Sequence, residues 1–156
     1  MSQHAWMDKA IALALENVLS SHGGPFGAVV VRDGQIVGTG RNEVTATNDP
    51  TAHAEVQAIR DACKNLGSFQ LTGCELYTSC EPCPMCLGAI YWARPSKVYF
   101  SGTKEDAAQV GFDDHFIYRE IELPYENRSI PFEQLQPLKG KTPFEAWAAS
   151  RERIEY

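Results

Sequence analysis

Two short motifs on separate segments constrain this chain more than any other feature. One reads TAHAEVQAIR and contains His53 and Glu55, and the other reads TSCEPCPMC and contains Cys83 and Cys86. A catalytic zinc ion takes three protein ligands and keeps a fourth position open, whereas a structural zinc ion is closed by four. His53, Cys83 and Cys86 supply three ligands, and Glu55 remains as a proton carrier. The fold must therefore bring both motifs to one metal ion, and the residues predict hydrolytic chemistry.

The composition is that of one ordinary globular domain. The chain has 156 residues, of which 44% are hydrophobic and 22% charged, so we predict a single domain, residues 1–156. No apolar run reaches the roughly 20 residues that span a bilayer, and the N-terminal residues lack a signal-peptide pattern. The five cysteines favour metal chemistry in a reducing compartment over a disulfide framework. We expect a soluble, cytoplasmic protein without membrane contact.

The charge balance disfavours a nucleic-acid partner. The net charge is −6, from 20 acidic and 14 basic residues, whereas tight binding to a phosphate backbone needs clustered lysine and arginine. The basic residues do not cluster, since the densest stretch is the pair Lys139 and Lys141. We therefore expect a small or neutral substrate.

Periodicity and turn residues predict the first elements. Apolar residues at helical spacing predict an opening helix that ends near Gly23, and two strands then flank Asp33-Gly34, a dipeptide that suits a tight hairpin turn. A second helix is expected to begin with Asp49 or Thr51 as its cap. The first metal motif would then lie in the first turns of that helix.

The cysteine motif is predicted to lie in a βαβ unit. Strands at 75–79 and 97–101 flank a helix at 84–93. The other expectations are a short helix at 103–110, a weak strand at 132–138 and a terminal helix at 143–153, with 113–127 unassigned. Together these elements predict an α/β protein with a central mixed sheet and helices on both faces, three layers in all.

Helix geometry explains how each motif could present its ligands. If Pro84 takes the first helical position, Cys83 becomes the cap and Cys86 lies three residues on, so both sulfurs face one point. The positive end of the helix lowers thiol pKa values and favours thiolates. His53 and Glu55 are two positions apart and point to roughly opposite sides of an ideal helix. They can serve one metal ion only if it lies off the helix end.

Cys80 leaves an alternative of another class open. If Cys80 joined His53, Cys83 and Cys86, all four zinc positions would be closed, and the chain would be a structural-zinc or metal-sensing module. The three cysteines also resemble part of an iron–sulfur ligand set, but no fourth cysteine follows Cys86. We expect Cys80 to pack at the end of a strand beside the zinc site.

The two motifs together resemble the signature of the zinc nucleobase deaminases, His-x-Glu followed by Pro-Cys-x-x-Cys. Within that superfamily the chain is similar to the small bacterial guanine deaminases along GGPFGAVVV, NDPTAHAEV, YTSCEPCPMCLGAIYWARP, GFDDHFIYREI and the final Glu155-Tyr156. Transfer-RNA adenosine deaminases and cytosine deaminases share the first two stretches and the cysteine motif, so they remain alternatives. The segment GFDDHFIY and Tyr156 discriminate between these families.

The resemblance implies a fold and an activity. The fold is that of cytidine deaminase, a three-layer α/β/α arrangement with a central mixed five-stranded sheet and both metal motifs at helix N-termini. The activity is zinc-dependent hydrolysis of guanine to xanthine and ammonia, with one Zn²⁺ per subunit held by His53, Cys83 and Cys86. The resemblance implies that Glu55 carries the proton of the reaction, and Asp114 is expected to be a second proton carrier.

The resemblance also implies a substrate pocket and a dimer. The expected purine contacts are Phe26, Asn42, Ala54, Trp92, Asp114 and Tyr156. In the resembling enzymes the C-terminal segment, about residues 140–156 here, crosses to the partner subunit, where its tyrosine closes the other active site. We therefore expect a domain-swapped homodimer.

Overall fold

The computed structural model describes every residue, Met1–Tyr156, and divides them into two compact units, Met1–Asp114 and His115–Tyr156. The first unit contains the sheet and both metal motifs, and the second is helical. The prediction of one domain with a swapped C-terminal segment stays a prediction.

The first unit alternates strands and helices. Its elements are α1 (Gln3–Leu19), β1 (Gly27–Arg32), β2 (Gln35–Arg41), α2 (Val44–Thr47), α3 (Ala54–Leu66), β3 (Cys74–Cys80), α4 (Pro84–Ala93), β4 (Lys97–Gly102) and α5 (Lys104–Ala108). The strands form one mixed sheet in the order β2-β1-β3-β4. β1 is antiparallel to β2 and β3, and β3 is parallel to β4 across the connecting helix α4. The predicted βαβ unit is confirmed.

The sheet has four strands, so the expectation of five strands is wrong. The weak strand candidate at residues 132–138 forms no strand. Pro131 precedes this segment and Pro137 lies within it, and a proline has no N–H to donate to a ladder. Leu135 and Leu138 are 75% and 77% exposed, so no apolar face anchors the segment to a sheet.

The hairpin between β1 and β2 turns where the sequence predicts it. Asp33 and Gly34 have φ values of 50° and 74°, and positive φ at both central residues is what a type I′ turn requires. The alternation of β1 then assigns its two faces. Ala28 and Val30 belong to the core cluster that includes residues of α3 and α4, whereas Val29 and Val31 pack with Trp6 of α1. Helices therefore cover both faces, and the three-layer prediction is confirmed.

Glycines bring α3 unusually close to the sheet. A Cβ atom on Gly38 of β2 would lie 2.6 Å from the backbone nitrogen of Ala62, and one on Gly40 would collide with the carbonyl oxygen of Ala54. Real Cβ atoms essentially never approach backbone atoms so closely. The absence of side chains at these two positions fixes where α3 begins relative to the sheet.

The start of α3 differs from the prediction. Neither Asp49 nor Thr51 caps the helix, which begins at Ala54 with His53 as its cap. The Asp49 side chain instead accepts hydrogen bonds from the backbone N–H and the hydroxyl of Thr51, at 2.8 and 2.6 Å. Aspartate commonly closes such a local turn, which competes with helix capping. The hydrogen bonds from Thr51 lower the pKa of Asp49.

The second unit contains α6 (His115–Glu122), α7 (Thr142–Ala149) and two 3₁₀ turns, Tyr125–Asn127 and Lys139–Lys141. α6 occupies part of the unassigned segment, and Arg128 donates to the carbonyl oxygen of Glu120 at 3.0 Å. α7 is shorter than the predicted terminal helix because the Arg153 side chain donates to Ala148 and Ser150, satisfying its last carbonyl groups. No helix in the chain has both the length and the apolarity of a membrane-spanning helix.

Candidate active site

Three predicted metal ligands meet between two helix starts. His53 caps α3 in an extended conformation, with φ −73° and ψ 155°, so its side chain lies off the end of the helix. Cys83 caps α4, with Pro84 in the first helical turn, and accepts a hydrogen bond from the backbone N–H of Cys86 at 3.5 Å. The ligand atoms of His53, Cys83 and Cys86 all lie within 4.8 Å of one another. The structure thus meets the requirement that a shared metal ion lie off the helix end.

The spacing of these atoms fits zinc. The Nδ1 atom of His53 lies 3.5 Å from Sγ of Cys83 and 3.4 Å from Sγ of Cys86. In a tetrahedral site, Zn–S bonds of about 2.3 Å and a Zn–N bond of about 2.1 Å place nitrogen and sulfur about 3.6 Å apart. One nitrogen and two sulfur ligands, with no fourth ligand in the cluster, match a catalytic zinc site.

The surroundings of Cys83 and Cys86 shift the pKa values of both thiol groups. The hydrogen bond from Cys86 lowers the pKa of Cys83 to about 4, and His53 adds to the effect. The same hydrogen bond and burial raise the pKa of Cys86. The contact with Cys83 raises the pKa of His53. A metal ion displaces such ligand protons when it binds.

Glu55 is the second residue of α3 and is only 5% exposed. Burial raises the pKa of its carboxyl group. The hydroxyl of Thr78 lies 3.1 Å from its Oε1 atom, and its carboxylate also hydrogen bonds with Cys86. A buried carboxyl group beside a metal site is suited to taking up and returning a proton.

Cys80 lies outside the ligand cluster. It ends β3, and its thiol donates to the carbonyl oxygen of Thr103 at 3.6 Å. Burial, with the negative charge of Glu55 adding to it, raises the pKa of Cys80 to about 11. Cys80 is absent from the group of close ligand atoms formed by His53, Cys83 and Cys86. The geometry therefore favours an open site over the closed four-ligand alternative.

Replacing Cys80 with serine is expected to leave the zinc content of the purified protein unchanged. The matched variant Cys83→Ser should lose most of the metal, because it removes one of only three ligands. Metal analysis by atomic emission on both variants makes the comparison. Loss of zinc in Cys80→Ser would support a four-ligand structural site instead.

Three of the expected substrate contacts, Phe26, Asn42 and Ala54, lie in the first unit, where the backbone N–H of Asn42 donates to the carbonyl oxygen of Phe26 at 3.2 Å. Phe26 packs edge-on against Phe112, with ring centroids 5.0 Å apart and an interplanar angle of 87°. Asn42 is 7% exposed, and its side-chain oxygen accepts from the backbone N–H of Val44 at 3.2 Å. Ala54 is fully buried at the start of α3.

The remaining expected contacts are less enclosed. Asp114 is partly buried, and burial together with the negative charge of Cys83 raises its pKa, so its carboxyl group senses the charge of a metal ligand. Trp92, near the end of α4, is 64% exposed, and Tyr156, in the second unit, is 68% exposed. Neither side chain is enclosed by its own chain.

Two polar residues that tie segments of the first unit together, the buried Asn17 and the partly buried Glu43, escaped the sequence prediction. Asn17 of α1 is fully buried, and its amide donates to the carbonyl oxygens of Gly24 and Asn42 at 2.8 and 2.9 Å. Glu43 accepts from Gln57 of α3 at 2.6 Å, so it ties the loop after β2 to the helix of the first metal motif. A polar residue within an apolar helical stripe was the only sequence signal for Asn17.

Comparison with known families decides the classification. The sequence profile of the cytidine and deoxycytidylate deaminase zinc-binding region matches residues 1–102. The chain belongs to this deaminase family. The matched region includes both metal motifs and all four strands of the sheet, so the family match and the ligand cluster describe the same part of the deaminase.

Individual relatives of the deaminase extend the match to the whole chain. Guanine deaminase of Bacillus subtilis is 56% identical over 156 residues, which is 100% of each chain. A crystal structure of guanine deaminase from that organism, also 56% identical, has a TM-score of 0.97 and covers 100% of this chain and 99% of that chain. The tRNA-specific adenosine deaminase of Aquifex aeolicus is 48% identical over 77 residues, 49% of this chain and 51% of that protein.

Proposed function

We propose that this protein hydrolyses guanine to xanthine and ammonia. The observation that carries the proposal is the full-length match to guanine deaminase of Bacillus subtilis, at 56% identity and with a TM-score of 0.97. The match to a tRNA-specific adenosine deaminase spans only about half of each chain. The net charge of −6 also disfavours a nucleic-acid substrate. We further propose that the protein works in the cytoplasm.

The ligand cluster would hold one zinc ion per chain. His53 would bind through Nδ1, and Cys83 and Cys86 would bind as thiolates from the first turn of α4. When bound, zinc supplies Lewis-acid activation of a water molecule, lowering its pKa toward 7. Two thiolates and a neutral imidazole balance the charge of the ion.

Glu55 carries the protons of the reaction. Its carboxylate accepts a proton from the attacking water as oxygen adds to the carbon that bears the exocyclic amine, C2 of guanine. The proton is then delivered to a ring nitrogen. Glu55 next takes the proton of the newly added hydroxyl group and passes it to the amine, so the C2 carbonyl forms as the C–N bond breaks and ammonia leaves. Burial of Glu55 keeps bulk water from competing for the proton.

The base would be held by Phe26, Asn42 and Ala54 of the first unit. Phe26, braced by Phe112, offers a face on which the purine can stack. Because Val44 occupies the side-chain oxygen of Asn42, the carboxamide of Asn42 is oriented to donate from Nδ2 to a purine acceptor. Ala54 leaves room for the base, and Trp92 contributes to the pocket in the assembled protein.

Asp114 would select guanine. The N1–H and exocyclic amine of guanine are donors, and a carboxylate can accept from both. Adenine has an unprotonated N1 and would leave a carboxylate acceptor without a partner. Asp114 would also assist as a second proton carrier, and the elevation of its pKa by burial suits that role.

The second unit would complete the site of a partner subunit. No residue of α6 or α7 is buried. Many apolar side chains of the second unit are exposed to solvent in the single chain. Those more than half exposed are Phe116, Ile121, Tyr125, Ile130, Phe132, Leu135, Leu138, Phe144, Ile154 and Tyr156. A soluble monomer rarely exposes so many, so they call for a covering surface. We propose a domain-swapped homodimer in which Tyr156 closes the partner's site.

Removal of residues 151–156 is expected to reduce guanine turnover sharply while zinc content stays at the full-length value. The reason is that Tyr156 closes the substrate pocket but takes no part in the metal cluster. Steady-state kinetics and metal analysis on the truncated and full-length proteins measure both effects. The single change Tyr156→Phe, which keeps the chain length, is the matched control for the hydroxyl. Full activity after truncation would contradict the swapped dimer.

Ammonia release from a panel of substrates tests the proposed function directly. The purified zinc-loaded protein is incubated separately with guanine, adenine, cytosine, cytidine and a transfer-RNA anticodon stem. We expect turnover of guanine above all others. Turnover of the anticodon stem, or of cytosine alone, would assign the protein to another branch of the superfamily, and no turnover at all would favour a structural role for the metal.

A further inference from the structure

Thr78 is a fully buried polar residue in the middle of β3, with an exposed fraction of 0%. Cys74 and Leu76 of the same strand belong to the core cluster that packs with residues of α3 and α4, and the two-residue period of a strand puts Thr78 on the same face. Valine has the same shape and would fit such a position without any hydrogen bond to satisfy. The hydroxyl of Thr78 therefore needs a partner.

Two acceptors surround this hydroxyl. The Oγ1 atom of Thr78 lies 3.1 Å from Oε1 of Glu55 and 3.1 Å from the backbone carbonyl oxygen of Cys80. A hydroxyl has one proton to donate and two lone pairs that accept. It can donate to Glu55 as a carboxylate, or donate to Cys80 and accept from Glu55 as an acid. The hydroxyl of Thr78 therefore lies within hydrogen-bonding distance of the Glu55 carboxyl group at the end of β3.

The carboxyl group of Glu55 depends on such contacts for its orientation. A glutamate side chain has three rotatable bonds, and fixing them requires specific partners. Thr78 holds Oε1 from the strand. Without the Thr78 hydroxyl, Oε1 would lose its partner on the sheet side and the carboxylate could rotate within its pocket.

We propose that Thr78 is a positioning residue that holds the Glu55 carboxylate in line for proton transfer, and this inference rests on the proposed deaminase function. A displacement of about 1 Å in a catalytic group can cost about 100-fold in rate. The purine contacts proposed above lie on other residues. The loss should therefore appear in kcat and leave KM nearly unchanged.

The variant Thr78→Val removes the hydroxyl and keeps the shape. We expect its kcat for guanine to fall by about 10- to 100-fold, with KM within about twofold of the wild-type value and zinc content unchanged. Thr78→Ser restores the hydroxyl and should keep kcat within about threefold of wild type. Thr39→Val makes the same change at an exposed position of β2 and should leave kcat at the wild-type value.

Wild-type activity separates this inference from the proposed function. If the wild-type protein does not deaminate guanine, the proposed function fails. If the wild type is active and Thr78→Val has wild-type kcat, the positioning role is overturned. It is also overturned if Thr78→Ser falls as far as Thr78→Val, if KM alone changes, or if Thr78→Val loses zinc. Should Thr78→Val not fold, Thr78→Ala replaces it in the same comparison with Thr78→Ser.

Discussion

Replacing Glu55 with glutamine is expected to lower the kcat for guanine by about 10²- to 10⁴-fold, the usual contribution of a positioned acid–base group. Glutamine has nearly the same shape and still accepts a hydrogen bond from Thr78, so the fold and the pocket should persist. It cannot accept a proton from water at neutral pH, so the step that creates the nucleophile fails. Because Glu55 is not one of the three clustered ligands, zinc content should stay at the wild-type value.

Steady-state kinetics and metal analysis on the same preparations test this expectation. The matched control is Glu16→Gln, which makes the same change at an exposed position of α1 and should retain wild-type kinetics. A Glu55→Gln protein with wild-type kcat would remove Glu55 from the mechanism. A Glu55→Gln protein without zinc would show that the carboxylate supports the metal and would leave its proton-carrying role unsupported.

Replacing Asp114 with asparagine is expected to lower kcat/KM for guanine by about 10²- to 10⁴-fold, the effect of losing one hydrogen bond to a charged acceptor and leaving a buried donor of the base unpaired. Asparagine offers one oxygen acceptor in place of two, and its amide group would face a donor of the base. The same change removes the unpaired carboxylate that disfavours adenine. The ratio of kcat/KM for guanine to that for adenine should therefore fall.

Measurement of kcat/KM for both purines tests the role of Asp114. The neighbouring change Asp113→Asn removes the same charge one residue away and is expected to keep kcat/KM for guanine within about threefold of wild type. Equal losses in the two variants would indicate a general effect of negative charge. An unchanged guanine-to-adenine ratio in Asp114→Asn would place substrate selection elsewhere.

The parts of the site that the sequence predicts correctly depend on strong local signals. Pro84 is preorganised for the first turn of a helix, so the limits of α4 and the capping position of Cys83 follow from neighbouring residues alone. The Asp33-Gly34 turn is equally local, because its positive φ values suit few other dipeptides. The three candidate zinc ligands follow from residue type and spacing, and the structure brings them together.

The parts that the sequence misses depend on contacts between distant segments. The start of α3 follows from a turn closed by Asp49 and from the close approach of Gly40 to Ala54, and periodicity carries no sign of either. α6 has only eight residues, too few turns for its period to stand out. Thr78 carries no mark of its role, because a threonine in a strand ordinarily reflects β propensity.

The two glycines of β2 that face α3, Gly38 and Gly40, have a consequence for protein engineering. Because Gly38 and Gly40 have no side chains and lie close to the backbone of α3, neither position can be shortened to make space. The backbone of β2 therefore blocks movement of α3 toward the sheet, and α3 cannot shift in that direction to admit a larger heterocycle. Libraries aimed at bulkier substrates should instead diversify Phe26 and Phe112, whose side chains pack against each other and can be shortened.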